Sequence, residues 1–243
     1  DGRLAVVATF SILGDVVRQV AGDKADVTTL VGPDGDAHTF EPTPKDGAAI
    51  ADASIVFEEG LGFETWLNDI YSSSGSSAKR VVATTGVTPG RLVEDGVEEE
   101  DPHAWQDVSN VKLMTENVRD ALVEADPDNA DTYKENATSY LAELDDLDAY
   151  VREQVDKIPA ADRKLVTNHD AFGYFAAHYG LRVVGSVIPS LSTAAEPSAH
   201  NVAELIKRIK AQHVRAIFTE SSLNPSLEDE IAREAGVRVY ATL

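Results

Sequence analysis

Leu4-Ala5-Val6-Val7-Ala8-Thr9 runs directly into Phe10-Ser11-Ile12-Leu13-Gly14-Asp15-Val16-Val17-Arg18-Gln19-Val20-Ala21-Gly22, and the reading of this stretch decides the fold class. The first part is a short β-rich run, as expected of a strand buried on both faces. In the second, Leu13, Val16, Val17 and Val20 keep the 3.6-residue spacing of a helix, with Ser11 as N-cap and Gly22 as stop. A strand feeding a helix is the opening step of a parallel α/β sheet. The alternation continues with a strand at 26–31, a loop at 32–42 holding two glycines and two prolines, a helix near 44–51, a strand at 54–57, a helix near 63–70 and a strand at 80–84. An amphipathic helix at 108–125 ends near Pro127.

The longest periodic segment follows. From 128 to 158 the apolar positions Tyr133, Ala137, Tyr140, Leu144, Leu147, Val151, Val155 and Ile158 step by 3 or 4, and no Gly or Pro interrupts them. This predicts one helix of roughly 45 Å at 1.5 Å per residue, a strut rather than a flexible linker. Beyond it the α/β pattern restarts, with strands at 164–167, 181–187, 214–218 and 237–242 and helices at 171–178, 199–211 and 226–235. The expected fold is therefore α/β: two lobes, each a central mostly parallel sheet flanked by helices, joined by one long rigid helix. The lobes are placed at 1–127 and 159–243 with the connecting helix at 128–158. The sequence stops inside a strand, so the second lobe is expected to be shortened.

Composition narrows the chemistry. The 243 residues carry 42 acidic against 21 basic side chains, a net charge of −21, and no cysteine. Disulfides, thiolate catalysis and sulfur-ligated zinc are excluded, so any metal must bind His and carboxylate. So negative a surface repels phosphate backbones, and no basic stripe is present, which argues against nucleic acid. No apolar run approaches the ~18 residues of a membrane span. The chain opens at Asp1 without initiator Met or targeting segment, as expected after removal of a signal peptide or lipid anchor. Phosphate-binding glycine loops, the nucleophile elbow and the H-E-x-x-H zinc motif are missing. The pairs Glu58-Glu59 and Asp145-Asp146 are read as solvated faces in so acidic a chain.

Of six histidines, three fall in equivalent places: His38 in the loop after the second strand, His103 before a helix, His169 at a strand-to-helix turn. Open α/β sheets bind ligands at such strand ends. Neutral imidazoles supply the nitrogens zinc favours, and three of them with one more ligand make a tetrahedral site. From spacing alone the same residues also read as loop histidines with unrelated hydrogen-bonding roles. His178, His200 and His213 are read as structural or solvated.

The motifs Asp36-Ala37-His38-Thr39-Phe40-Glu41-Pro42-Thr43-Pro44, Asp101-Pro102-His103-Ala104-Trp105 and Thr167-Asn168-His169-Asp170-Ala171-Phe172-Gly173-Tyr174-Phe175, in this order, resemble the zinc and manganese solute-binding proteins of ABC transporters, the ZnuA/TroA-like family. The resemblance covers essentially the whole chain. It implies a non-enzymatic receptor on the periplasmic or extracellular face of the cytoplasmic membrane, a monomer that captures a divalent metal ion between its lobes and delivers it to a membrane permease. By the same resemblance His38 and His103 match the two ligands of the first lobe and His169 the third. Manganese relatives usually carry Glu at that third position; imidazole there is softer, so Zn²⁺ is expected in preference to Mn²⁺. The family's fourth ligand, an Asp, is expected beyond Leu243, and Glu220 at the end of a strand is the candidate to stand in for it, or else a loop or cap carboxylate. Where zinc relatives carry a His-rich loop, this chain has Glu94-Asp95-Gly96-Val97-Glu98-Glu99-Glu100-Asp101, read as a solvated disordered loop or a weak cation-attracting lip. The rival readings are a manganese receptor of the same family, a zinc-dependent hydrolase, and a surface adhesin that binds metal.

Overall fold

The computed structural model describes residues 2–94, 97–220 and 226–241. Asp95 and Gly96 of the acidic stretch, and Thr242 at the end of the last expected strand, lie outside the described residues. The chain divides into two compact units, Asp1–Pro89 with Val108–Asp148, and Gly90–Asp107 with Ala149–Leu243.

Unit 1 is built on β1 (Leu4–Phe10), β2 (Ala25–Val31), β3 (Ile55–Glu58) and β4 (Lys79–Val82), in the order β2-β1-β3-β4 and parallel throughout. Its helices are α1 (Ser11–Ala21), α2 (Pro44–Asp52), α3 (Leu67–Ser74) and α4 (Val108–Ala125). Leu13, Val16, Val17 and Val20 are buried as their spacing requires. Val7, Ile50, Val56 and Leu67 form a core of their own on this sheet. Ser11 is not the cap: Phe10 takes the N-cap position with an extended backbone and Ser11 is already helical. α2 opens on Pro44 with Asp46 Oδ2 accepting from the Thr43 backbone N–H at 2.7 Å. α3 begins at Leu67 rather than near Phe63, because Glu64 accepts from the backbone N–H groups of Glu59 and Gly60 and holds that segment as a loop.

The long helix is present as one 3-10 turn, Pro127–Asn129, running into the 27-residue α5 (Ala130–Asp156). Tyr133 is buried and donates to Asp126 Oδ2 at 2.7 Å, and Asn136 donates to the Val20 carbonyl at 3.0 Å. The apolar stripe read from the sequence is not wholly buried: Leu147 remains exposed, as does Ile158 just past the end of α5.

Unit 2 carries β7 (Lys164–His169), β8 (Arg182–Ile188), β9 (Ala216–Thr219) and β10 (Arg238–Ala241), parallel in the order β10-β9-β7-β8, with α6 (Gly173–Tyr179), α7 (Ala199–Ala211) and α8 (Ser226–Ala235). Val166, Leu205, Ile209, Ile217 and Ile231 fill its core. Among the described residues no helix is long and apolar enough to cross a membrane.

Two expectations about acidic residues fail. The segment read as a disordered loop is the second strand of an antiparallel hairpin, β5 (Gly90–Glu94) against β6 (Val97–Asp101), with Gly90 opposite Asp101. Arg91 supplies the reason: it sits opposite Glu100 and reaches Glu98 at 3.1 Å, giving the acidic strand a cross-strand cation. The pair Glu58-Glu59 is not solvated either. Glu58 is held by Arg80 through two bonds of 2.9 and 2.6 Å, whereas Glu59 is 0% exposed and, among the described residues, neither of its carboxylate oxygens has a hydrogen-bond partner.

Burial first, then the nearby Glu64, pushes the Glu59 pKa well above its ordinary value. The folded chain therefore holds a proton that the unfolded chain releases near pH 4.5. Stability from this group is complete below that pH and is lost as pH rises through the folded value. Glu59→Gln is expected to remove the loss. As pH rises above 4.5, wild type should lose stability in thermal unfolding relative to the variant; parallel pH profiles would contradict the assignment.

Candidate metal centre

The hairpin ends on Asp101-Pro102-His103. Asp101 Oδ1 accepts from the backbone N–H of His103 at 3.0 Å and lies 2.7 Å from its ring Nδ1. One carboxylate thereby fixes both the chain turn and the ring. His103 is 1% exposed. Tyr174 locks the base of the hairpin, its hydroxyl accepting from Gly90 N–H and donating to the Asp101 carbonyl, both at 2.8 Å. A side chain at Gly173 would come within 3.0 Å of Asp101 Oδ2, so glycine keeps that approach open.

His169 ends β7, where a parallel sheet delivers its ligand-binding residues. Its carbonyl accepts from Thr167 Oγ1 at 2.8 Å, and the chain beyond is pinned by Asp170 N–H donating to the Ser190 carbonyl at 3.0 Å. The neighbouring Asn168 amide donates to the buried Glu228 of α8. Glu220, just after β9, brings Oε1 to 2.7 Å from His169 Nδ1.

Between the two rings, His103 Nε2 and His169 Nε2 stand 3.1 Å apart, with ring centroids 5.0 Å apart and planes at 66°. Asp101 can only accept, so His103 Nδ1 carries hydrogen and His103 Nε2 presents a lone pair toward His169 Nε2. Burial lowers the His103 pKa, aided by His169 and opposed by the Asp101 bond, which keeps the ring neutral. Two nitrogens on one tetrahedral ion with bonds of about 2.0–2.1 Å sit roughly 3.3 Å apart, and the observed gap is close to that value. A carboxylate behind each ligating imidazole is the usual outer shell of a metal site.

His38 lies in unit 1, in the loop after β2. Its backbone N–H donates to Asp36 Oδ1 at 2.9 Å, the same Asp-x-His device as at His103. Its ring is edge-on to Phe63, centroids 4.8 Å apart, and the Trp66 indole holds the preceding Ala37 carbonyl at 2.9 Å. The structure thus brings His103, His169 and Glu220 together within unit 2 and sets His38 on a braced loop of unit 1. Sequence reasoning missed Asp101, although the repeated Asp-x-His spacing was there to be read. The remaining histidines serve elsewhere: His178 lies 2.9 Å from Asp107, His200 is in the first turn of α7, and His213 follows that helix at positive φ.

The chain matches the ZnuA family, described as zinc-uptake complex component A, periplasmic, over residues 6–242. It is 36% identical over 242 residues to the manganese-binding lipoprotein MntA of Halalkalibacterium halodurans, covering 98% of this chain and 78% of that protein. To the zinc-binding lipoprotein AdcA of Streptococcus pneumoniae it is 33% identical over 250 residues, covering 98% of this chain and 49% of that protein. Among solved structures, the Mn-bound periplasmic metal binding protein from Candidatus Liberibacter asiaticus aligns with a TM-score of 0.87 at 26% identity, covering 99% of this chain and 89% of that one. Relatives named for manganese stand beside one named for zinc, so the zinc-type expectation narrows to a divalent-metal receptor. The chain belongs to the ZnuA family of periplasmic metal-binding uptake components, receptors outside the cytoplasm and not enzymes.

Proposed function

We propose that the protein captures one divalent metal ion, zinc in preference to manganese, through His38, His103 and His169, and hands it to the membrane permease of an ABC transporter. The observation that carries this reading is the pair of opposed Nε2 atoms 3.1 Å apart, each ring backed by a carboxylate. The ion is cargo, so the site must hold it without activating water on it. His38 is the third nitrogen by its matching motif and its braced loop. Glu220, weighed at the outset as fourth ligand, lies against the rear nitrogen of His169, and we assign it the orienting task that Asp101 performs for His103. A set of imidazoles is softer than the carboxylate-rich sites that suit manganese, which favours zinc.

Adding each metal during thermal unfolding tests the reading. A ligand at 100 times its Kd adds about 2.7 kcal/mol of stability, so Zn²⁺ should raise Tm well beyond Mn²⁺ at equal concentration. Equal shifts would overturn the zinc preference and favour the manganese reading suggested by MntA; no shift from either would overturn metal capture.

The outer shell makes a separate prediction. Asp101→Ala and Glu220→Gln should each weaken zinc binding by about 10- to 100-fold, measured by competition with a chelator of known affinity. An unchanged Kd in Glu220→Gln would remove Glu220 from the site.

A further inference from the structure

The loop between β3 and α3 has an unusual backbone. Gly60, Leu61 and Gly62 take φ values of 89°, 53° and 78°, three successive residues on the left-handed side. Two are glycines, for which this costs little, but Leu61 is held there against the preference of an L side chain. Space also demands glycine at position 60, where a Cβ would meet Val82 at 2.5 Å. A strained turn persists only when its surroundings over-determine it. Here the clamp is Glu64, buried at 7% exposure. Its Oε1 accepts from Glu59 N–H at 2.7 Å and from Thr9 Oγ1 at 2.6 Å, and its Oε2 faces Gly60 N–H at 3.3 Å. One carboxylate therefore ties the loop to itself and to the end of β1.

The residue before Glu64 is what the loop presents. Phe63 is 4% exposed, its N–H returning to the Gly60 carbonyl at 3.0 Å. Its ring is the edge-on partner of His38 at 4.8 Å and of Phe10 at 5.0 Å. A strained, carboxylate-closed loop thus carries the aromatic surface against which the His38 imidazole rests.

We propose that Glu64 is a positioning residue for metal capture: by closing this loop it fixes Phe63 and, through Phe63, the orientation of His38. The proposal rests on the reading of His38 as a ligand. It also accounts for a buried carboxylate in a place where apolar packing alone would cost less desolvation.

The test is a set of zinc affinities on the full chain, measured by chelator competition, with Tm of the metal-free protein recorded alongside. Glu64→Ala and Phe63→Leu should each weaken zinc binding by about tenfold. The double variant should be little weaker than either single, because both break one chain of contacts. Glu64→Gln, whose amide oxygen can still accept from Thr9 and Glu59, should stay within about threefold of wild type. In a His38→Ala background, Glu64→Ala should change zinc affinity no further, a readout that a merely structural role would not give. The proposal is overturned if Glu64→Ala weakens zinc equally with and without His38, or if Phe63→Leu leaves affinity untouched. Phe63→Leu keeps the site apolar and carries the test should Glu64→Ala fail to fold. If His38→Ala binds zinc as wild type does, the ligand reading itself falls, and the positioning proposal with it.

Discussion

Two imidazole nitrogens held 3.1 Å apart in a buried place are the constraint around which the second unit is arranged. Asp101 takes the hydrogen of the rear nitrogen of His103, and Glu220 stands 2.7 Å from the rear nitrogen of His169. The hairpin delivers one ring and the end of β7 the other, each pinned by hydrogen bonds that have no other evident task. The fold therefore gathers two imidazoles and two carboxylates at one spot. On the proposed reading a divalent cation would find its ligands already placed, and little of its binding energy would be spent on ordering them. The chain's net charge of −21 adds a long-range pull on cations that salt screens, so the local geometry has to provide the selectivity.

Much of the architecture could be read from local pattern. The spacing of Leu13, Val16, Val17 and Val20 declares α1, and α4, α7 and α8 fall where periodicity and turn residues put them. Apart from the cap of α1, which lies one residue earlier than expected, the failures are non-local. Nothing near Glu64 says that its carboxylate will bond backward to Glu59 and Gly60 and delay α3 until Leu67. The strand Val97–Asp101 is disguised by its own acidity, because its stabilising cation, Arg91, comes from the partner strand. Glu58 and Glu59 look like any other acids among 42, yet they end a parallel strand that is buried along its whole length.

The same division holds for the site. His38 and His103 announce themselves through Asp-x-His, where the Asp side chain caps the backbone of the His two residues on. That device is local and legible. The pairing of His169 with Glu220 joins the ends of two different strands, and the opposition of His169 to His103 joins the sheet to the hairpin. Those relations depend on tertiary packing, and no pattern within one segment encodes them.

The attachment of the hairpin has a consequence for how this surface can change. A two-stranded ribbon is marginal by itself, and here its register is fixed at the base, where one tyrosine hydroxyl bridges Gly90 and Asp101. Everything the metal centre needs from the hairpin is settled at that end. Arg91, Glu98 and Glu99 lie on the exposed surface of the ribbon, away from that base, so changes to them need not disturb the turn that presents His103. The charge the ribbon shows to solvent and the geometry it gives to His103 are therefore separable properties.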